Sequence, residues 1–140
     1  MSRIDEIERP IWYANVDGIE CKDINGELNY NLGCAVKYIW RAGHKDDRIK
    51  DYKKAVQYLR FEAERMSKLS YFQHMNNKIH NHIIKKLIDS DMEAYKKYMV
   101  LMTIKANNTF SKRKYLKIIW EMIFSLSIEI GEIKEVKCFV

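Results

Sequence analysis

Apolar residues recur along most of this chain at steps of three and four rather than two, the spacing of helices that each bury one side. The sharpest case is a helix predicted from about Leu32 to Ala42. Leu32, Ala35, Val36 and Ile39 share one face, Cys34, Lys37 and Arg41 share the opposite one, and Tyr38 and Trp40 lie on the flanks. Gly43 is placed to end this helix in a left-handed cap, and Asp46 or Asp47 to start another. That following helix, roughly Asp47 to Lys68, carries Ile49, Tyr52, Val56, Leu59, Ala63 and Met66 as the seam of an antiparallel helical hairpin. A separate face holds Asp51, Lys54, Tyr58 and Arg65.

On the N-terminal side, Pro10 halts any early helix before Trp12 and Tyr13. Asp17 and Glu20 have capping-box spacing, which predicts a helix from Gly18 to Glu27 followed by a turn near Gly26 or Asn31. Beyond Ser70 the pattern still reads helical. Phe72, Met75, Ile79, Ile83 and Leu87 form one stripe, with His74, Lys78, Asn81 and Lys85 opposite. Asp89, Ser90 and Asp91 break and recap the chain before a helix containing Met92, Tyr95, Met99 and Met102. Asn107 and Asn108 mark a loop, and Ser111 caps a last long helix through Tyr115, Ile119 and Ile123. Leu126 to Val140 reads as strand or helix. The expected fold is all-α: a helical hairpin core in residues 1–69, with a C-terminal helical extension, residues 70–140, packed on it.

Composition sharpens this picture. Five Gly and one Pro in 140 residues leave few turns for a many-stranded sheet. The net charge of +6 is unevenly spread, at +1 for residues 1–69 and +5 for residues 70–140, and suits anionic partners. Three cysteines, an odd number without metal-type spacing, and no secretory leader pattern predict a reduced cytoplasm. No apolar run approaches the ~18 residues of a membrane span.

Candidate chemistry centres on Lys37 and Arg41, one helical turn apart, with Lys45 just past the cap and Lys54 on the next helix. Like charges at this spacing repel, and an anion between them resolves the conflict. Arg and Lys can together hold a polyphosphate while Tyr38, Trp40 or Tyr58 stacks on a base. The alternative is that Arg41 pairs with Asp51 and the lysines are solvated. Glu20 and Asp23 form an E-x-x-D, but capping explains it more cheaply than magnesium. His80 and His82, two apart, are predicted to point to different helix faces, which argues against zinc. Neither a phosphate-cradling G-x-x-x-x-G-K nor a G-x-G-x-x-G is present.

The segments Pro10-Ile-Trp-Tyr13, Gly18-Ile-Glu20 with Asp23, Gly33 through Lys37-Tyr38 and Arg41-Ala-Gly-His-Lys45, then Asp51 through Lys54-Ala55 and Tyr58-Leu59, resemble a small phage domain. It is typified by the coliphage nucleotide kinase that lacks a P-loop. The resemblance covers residues 10–66. It implies a bacteriophage protein in the host bacterial cytoplasm, an oligomeric α-helical fold, and phosphoryl transfer from a nucleoside triphosphate to a deoxynucleoside monophosphate without obligatory metal or other cofactor. On this reading Lys37 and Arg41 are catalytic, and Trp12, Tyr13, Glu20, Tyr38, Lys45, Asp51, Lys54 and Tyr58 bind the nucleotide. Two positions depart from the family pattern: Trp12 stands where His is common, and Cys34 where Asn is common. Loss of a catalytic His would leave binding without transfer. The rival function is therefore a non-catalytic oligomeric sponge for a nucleotide-derived immune signal, such as a cyclic dinucleotide or cyclic ADP-ribose. A third is a basic adaptor for nucleic acid or a host protein, although no helix-turn-helix or zinc pattern supports nucleic acid.

Overall fold

A computed structural model describes residues 16–44, 47–69 and 78–131. Among them are six helices: α1 (Lys22–Asn25), α2 (Tyr30–Arg41), α3 (Arg48–Ser67), α4 (Asn81–Asp89), α5 (Ala94–Asn108) and α6 (Lys112–Ile130). The all-α expectation holds, with α2 and α3 as a closely packed pair. The other face of α3 packs on α6, α5 packs on both α6 and α2, and α4 leans on α5. One buried apolar cluster runs from Ile19 to Leu126, so both halves of the chain feed the same core. No helix among the described residues is long and apolar enough to cross a membrane.

The hairpin follows its sequence pattern closely. Leu32, Ala35, Val36 and Ile39 are fully buried, and Tyr52, Val56, Leu59, Ala63 and Met66 are buried on α3, which packs on α2 and α6. Ile49 is the exception at 42% exposed, because α2 ends opposite Asp51 and the seam's first residue projects past it. Asn29 caps α2 by accepting from Leu32 N at 2.9 Å, and Asp47 caps α3 through Ile49 N at 3.1 Å. Gly43 has φ +83°, the left-handed geometry that lets the chain leave α2. Ser111 caps α6 through Lys114 N, and Gly131, at φ +84°, terminates it, so the open reading of the last segment is helical as far as Ile130.

Four expectations need correction. The loop foreseen at Asn107 and Asn108 is instead the end of α5, with Asn107 fully buried. The helix foreseen from Gly18 to Glu27 shrinks to α1, because Asp17 (φ +52°) and Gly18 (φ +84°) form the centre of a tight turn closed by two backbone bonds between Val16 and Ile19. Asp17 accordingly caps nothing on α1; its carboxylate accepts from Asp91 N at 2.7 Å. Ile79 is buried, but ahead of α4 rather than on it, its N–H and C=O both bound by the Asn108 amide. The His80 and His82 rings do not diverge but stack at 5.8 Å, since His80 is the extended N-cap and helical spacing does not apply to it. Phe72, His74 and Met75 lie outside the described residues.

Candidate functional site

Antiparallel pairing of α2 and α3 brings five of the expected site residues together. Tyr38 is the centre. The Arg41 guanidinium carbon lies 4.6 Å from its ring centroid, Lys54 Nζ 5.2 Å and Lys37 Nζ 5.5 Å, all within cation–π range. Tyr58 stacks on Tyr38 with centroids 5.8 Å apart and planes within 15°. Tyr30 and Phe61 stand edge-on to Tyr58, each at 5.9 Å, and both are exposed. A hydrogen bond with Tyr30 holds the Tyr58 phenol above its ordinary value. Beside the rings lies a hollow of about 290 Å³ lined in part by Asn29, Tyr30, Cys34 and Lys37. Gly33 forms its floor, because a Cβ there would meet the Asn25 carbonyl oxygen at 3.1 Å and push α1 away.

Beneath this face Arg41 and Asp51 form a buried pair. The Arg41 side chain is 7% exposed and that of Asp51 0%. Arg41 Nε and Nη2 donate to the same Asp51 oxygen, Oδ1, at 3.2 and 3.1 Å, which is the pairing that the sequence offered as an alternative. Asp51 Oδ2 is buried with no hydrogen-bond partner among the described residues. The expected outward placement of Asp51 alongside Lys54 and Tyr58 is thus corrected: Arg41 draws it inward between the helices. From α5, the buried Lys96 ammonium donates to the Trp40 and Ala42 carbonyls at 2.9 and 2.7 Å, closing the end of α2. Burial holds Lys96 below the ordinary lysine value, with Glu93 and Asp51 acting in the opposite sense and Arg48 reinforcing it.

Glu20 pairs with Lys22 at 3.1 Å on the segment leading into α1, and the Glu20 amide donates to Asp23. Glu20 and Asp23 are thus engaged with Lys22 and with the Glu20 amide, and among the described residues no three His, Cys, Asp or Glu side chains gather as metal ligands. Trp12, Tyr13 and Lys45 lie outside the described residues, as does Cys138. Burial pushes the Cys21 thiol up to about 12, so it is a packing group.

A second polar centre escaped sequence reasoning. Glu62 of α3 is fully buried and accepts from Asn29 Nδ2 (2.8 Å), Asn31 Nδ2 (3.2 Å), Arg65 Nε (2.7 Å) and Nη2 (2.9 Å), and the Tyr115 hydroxyl. Burial and the Glu62 charge hold Tyr115 far above its ordinary value. The signal was present: Glu62 falls beside Leu59, Ala63 and Met66 on the seam, where an acid must find partners. Asn29, Asn31 and Tyr115 gave no comparable signal.

A family profile described as DUF3310, of unknown function, matches residues 7–60, less than half of the chain. The matched stretch contains the whole Tyr38 cluster except Phe61, and stops short of Glu62 and α4 to α6. No curated protein and no solved structure matches the chain.

Proposed function

We propose that the α2–α3 face binds a nucleotide, with Lys37 and Lys54 on its phosphates, Tyr58 and Tyr38 against its base, and Arg41 adding positive potential from beneath. The observation that carries this reading is the convergence of three cations on one stacked tyrosine, a combination of charge and π-surface that complements a phosphorylated aromatic ligand. Its leading form is a phage nucleotide kinase. The acceptor phosphate oxygen would attack the γ-phosphorus of a nucleoside triphosphate, the bond to the leaving diphosphate would break, and two diphosphates would result. Catalysis is then positioning and charge neutralisation, with Lys37 and Arg41 on the transferred group.

The engagement of Arg41 by Asp51 favours a second form, retention without transfer, since a guanidinium held by a buried carboxylate must be released before it reaches a phosphoryl group. That form is the oligomeric sponge. Incubation with ATP and each deoxynucleoside monophosphate, followed by chromatography, separates the two. Diphosphate formation supports the kinase; tight binding of a nucleotide recovered unchanged after heat denaturation supports the sponge. Failure to bind any nucleotide, including cyclic dinucleotides, overturns both. Light scattering tests the homo-oligomer that accompanies either form.

A further inference from the structure

The part of the chain beyond the matched family stretch reaches the candidate site through one side chain. A helix normally meets its last carbonyls with a glycine turn, solvent or a side chain of its own last turn. In α2, two of the three carbonyls at the exit are held differently. Arg41 O accepts from His44 N at 2.8 Å, while the carbonyls on either side of it, Trp40 O and Ala42 O, both accept from Lys96 of α5. Arg48, the first residue of α3, is paired with Glu93, the residue before α5. The turn between α2 and α3 is therefore fastened to the start of α5 at two points.

We propose that Lys96 is a positioning residue for the Tyr38 site: by gripping the peptide groups on both sides of Arg41, it sets the point at which α2 stops, and so the register in which Arg41 meets Asp51 under Tyr38. It touches no ligand itself. The proposal rests on the reading of the α2–α3 face as a ligand site, and it gives α5 a task there that a merely appended helix would not have. An internal comparison is built into the chain, because the next residue makes a similar grip elsewhere. Lys97 Nζ donates to the Ile88 and Ser90 carbonyls at the end of α4.

The test uses the full-length protein, its Lys96→Met and Lys97→Met variants, ATP as probe, and tyrosine ring resonances assigned with Tyr38→Phe. Urea midpoints report stability, calorimetry reports ATP affinity, and NMR reports the Tyr38 environment without any ligand. Lys96→Met is expected to move the Tyr38 resonance and weaken ATP by about tenfold or more, the scale on which misplacement of binding groups is felt. Lys97→Met should lower the urea midpoint while leaving both readouts in place. A folded Lys96→Met protein with an unmoved Tyr38 resonance and unchanged affinity overturns the proposal, as does an equal site effect from Lys97→Met. Should Lys96→Met not fold, Lys96→Gln, whose shorter amide retains a donor, takes its place under the same criteria. If the wild type binds no ATP or other nucleotide, the nucleotide reading falls, and the Tyr38 resonance alone decides on Lys96.

Discussion

Asp51 and Glu62 stand about three turns apart on α3, both fully shielded from solvent, and they are satisfied in opposite ways. Glu62 has donors on both oxygens, supplied by Asn29, Asn31, Arg65 and Tyr115 from three helices and a cap. Asp51 accepts twice from Arg41 on a single oxygen, and its other oxygen meets no donor among the described residues. A buried carboxylate with full partners fixes geometry. One with an unmet lone pair carries an unfavourable desolvation cost that calls for an explanation. The difference makes the Glu62 end of the hairpin the fully satisfied one, and leaves the Asp51 end, beneath the cations and rings, as the one the nucleotide proposal draws on.

The largest expected effect comes from breaking the satisfied centre. Glu62→Gln removes the charge that Arg65 faces and replaces one accepting oxygen with an N–H donor set against the donors already there, and should cost about 3–5 kcal/mol in urea unfolding. The same residue gives a pH test. Burial raises Glu62, but hydrogen bonds from Arg65 and Tyr115 outweigh it and leave the carboxyl below its ordinary 4.5. A lowered folded value means that the stabilisation is complete above the unfolded carboxylate range and is lost as pH falls through the depressed value. The stability gap between wild type and Glu62→Gln should therefore be full at neutral pH and narrow steadily below about 4.5. A gap that persists in strong acid would mean that packing, not charge, makes this centre.

Asp51→Asn sharpens the contrast from the other side. The amide keeps one oxygen for Arg41 and replaces the bare oxygen with a donor, so the loss should be near 2 kcal/mol, that of a hydrogen bond to a charged group, and smaller than for Glu62→Gln. Urea denaturation measures both. On the nucleotide proposal, affinity should respond more strongly than stability, because Arg41 loses its charged partner and is held beneath Tyr38 by a neutral oxygen only. An equal stability loss at the two positions would erase the distinction drawn between them.

The hairpin was legible because its apolar residues repeat at helical spacing over eight turns and Asp47, the cap of α3, has one obvious task, as Ser111 has for α6. The convergence of Lys37, Tyr38, Lys54 and Tyr58 followed from the same periodicity applied to the outer faces. What could not be read were partners chosen by tertiary distance. Asp17 looked like a helix cap and instead serves Asp91, far along the chain, because the adjoining glycine allowed a tighter turn. Tyr115 reaches Glu62, and Lys96 reaches the end of α2, across separations that no local pattern encodes.

The smallest expected change in stability, and the one most specific to function, is at Tyr38. Its ring is half-buried and meets Tyr58, Lys37, Lys54 and Arg41. Leucine at this position keeps apolar volume on the flank of α2 but loses the quadrupole that draws the cations in. Partly exposed cation–π contacts are worth about 0.5–1 kcal/mol each, and mutual repulsion among the three cations offsets part of that sum. Tyr38→Leu should therefore shift unfolding by only about 1 kcal/mol. On the nucleotide proposal binding is a different matter, because the stacking surface and the gathering point for Lys37 and Lys54 disappear together. Calorimetry with the nucleotide that the wild type retains should show an affinity loss well beyond the stability change. A Tyr38→Leu protein that binds as the wild type does would show that the cations act without the ring, and would move the site away from this face of the hairpin.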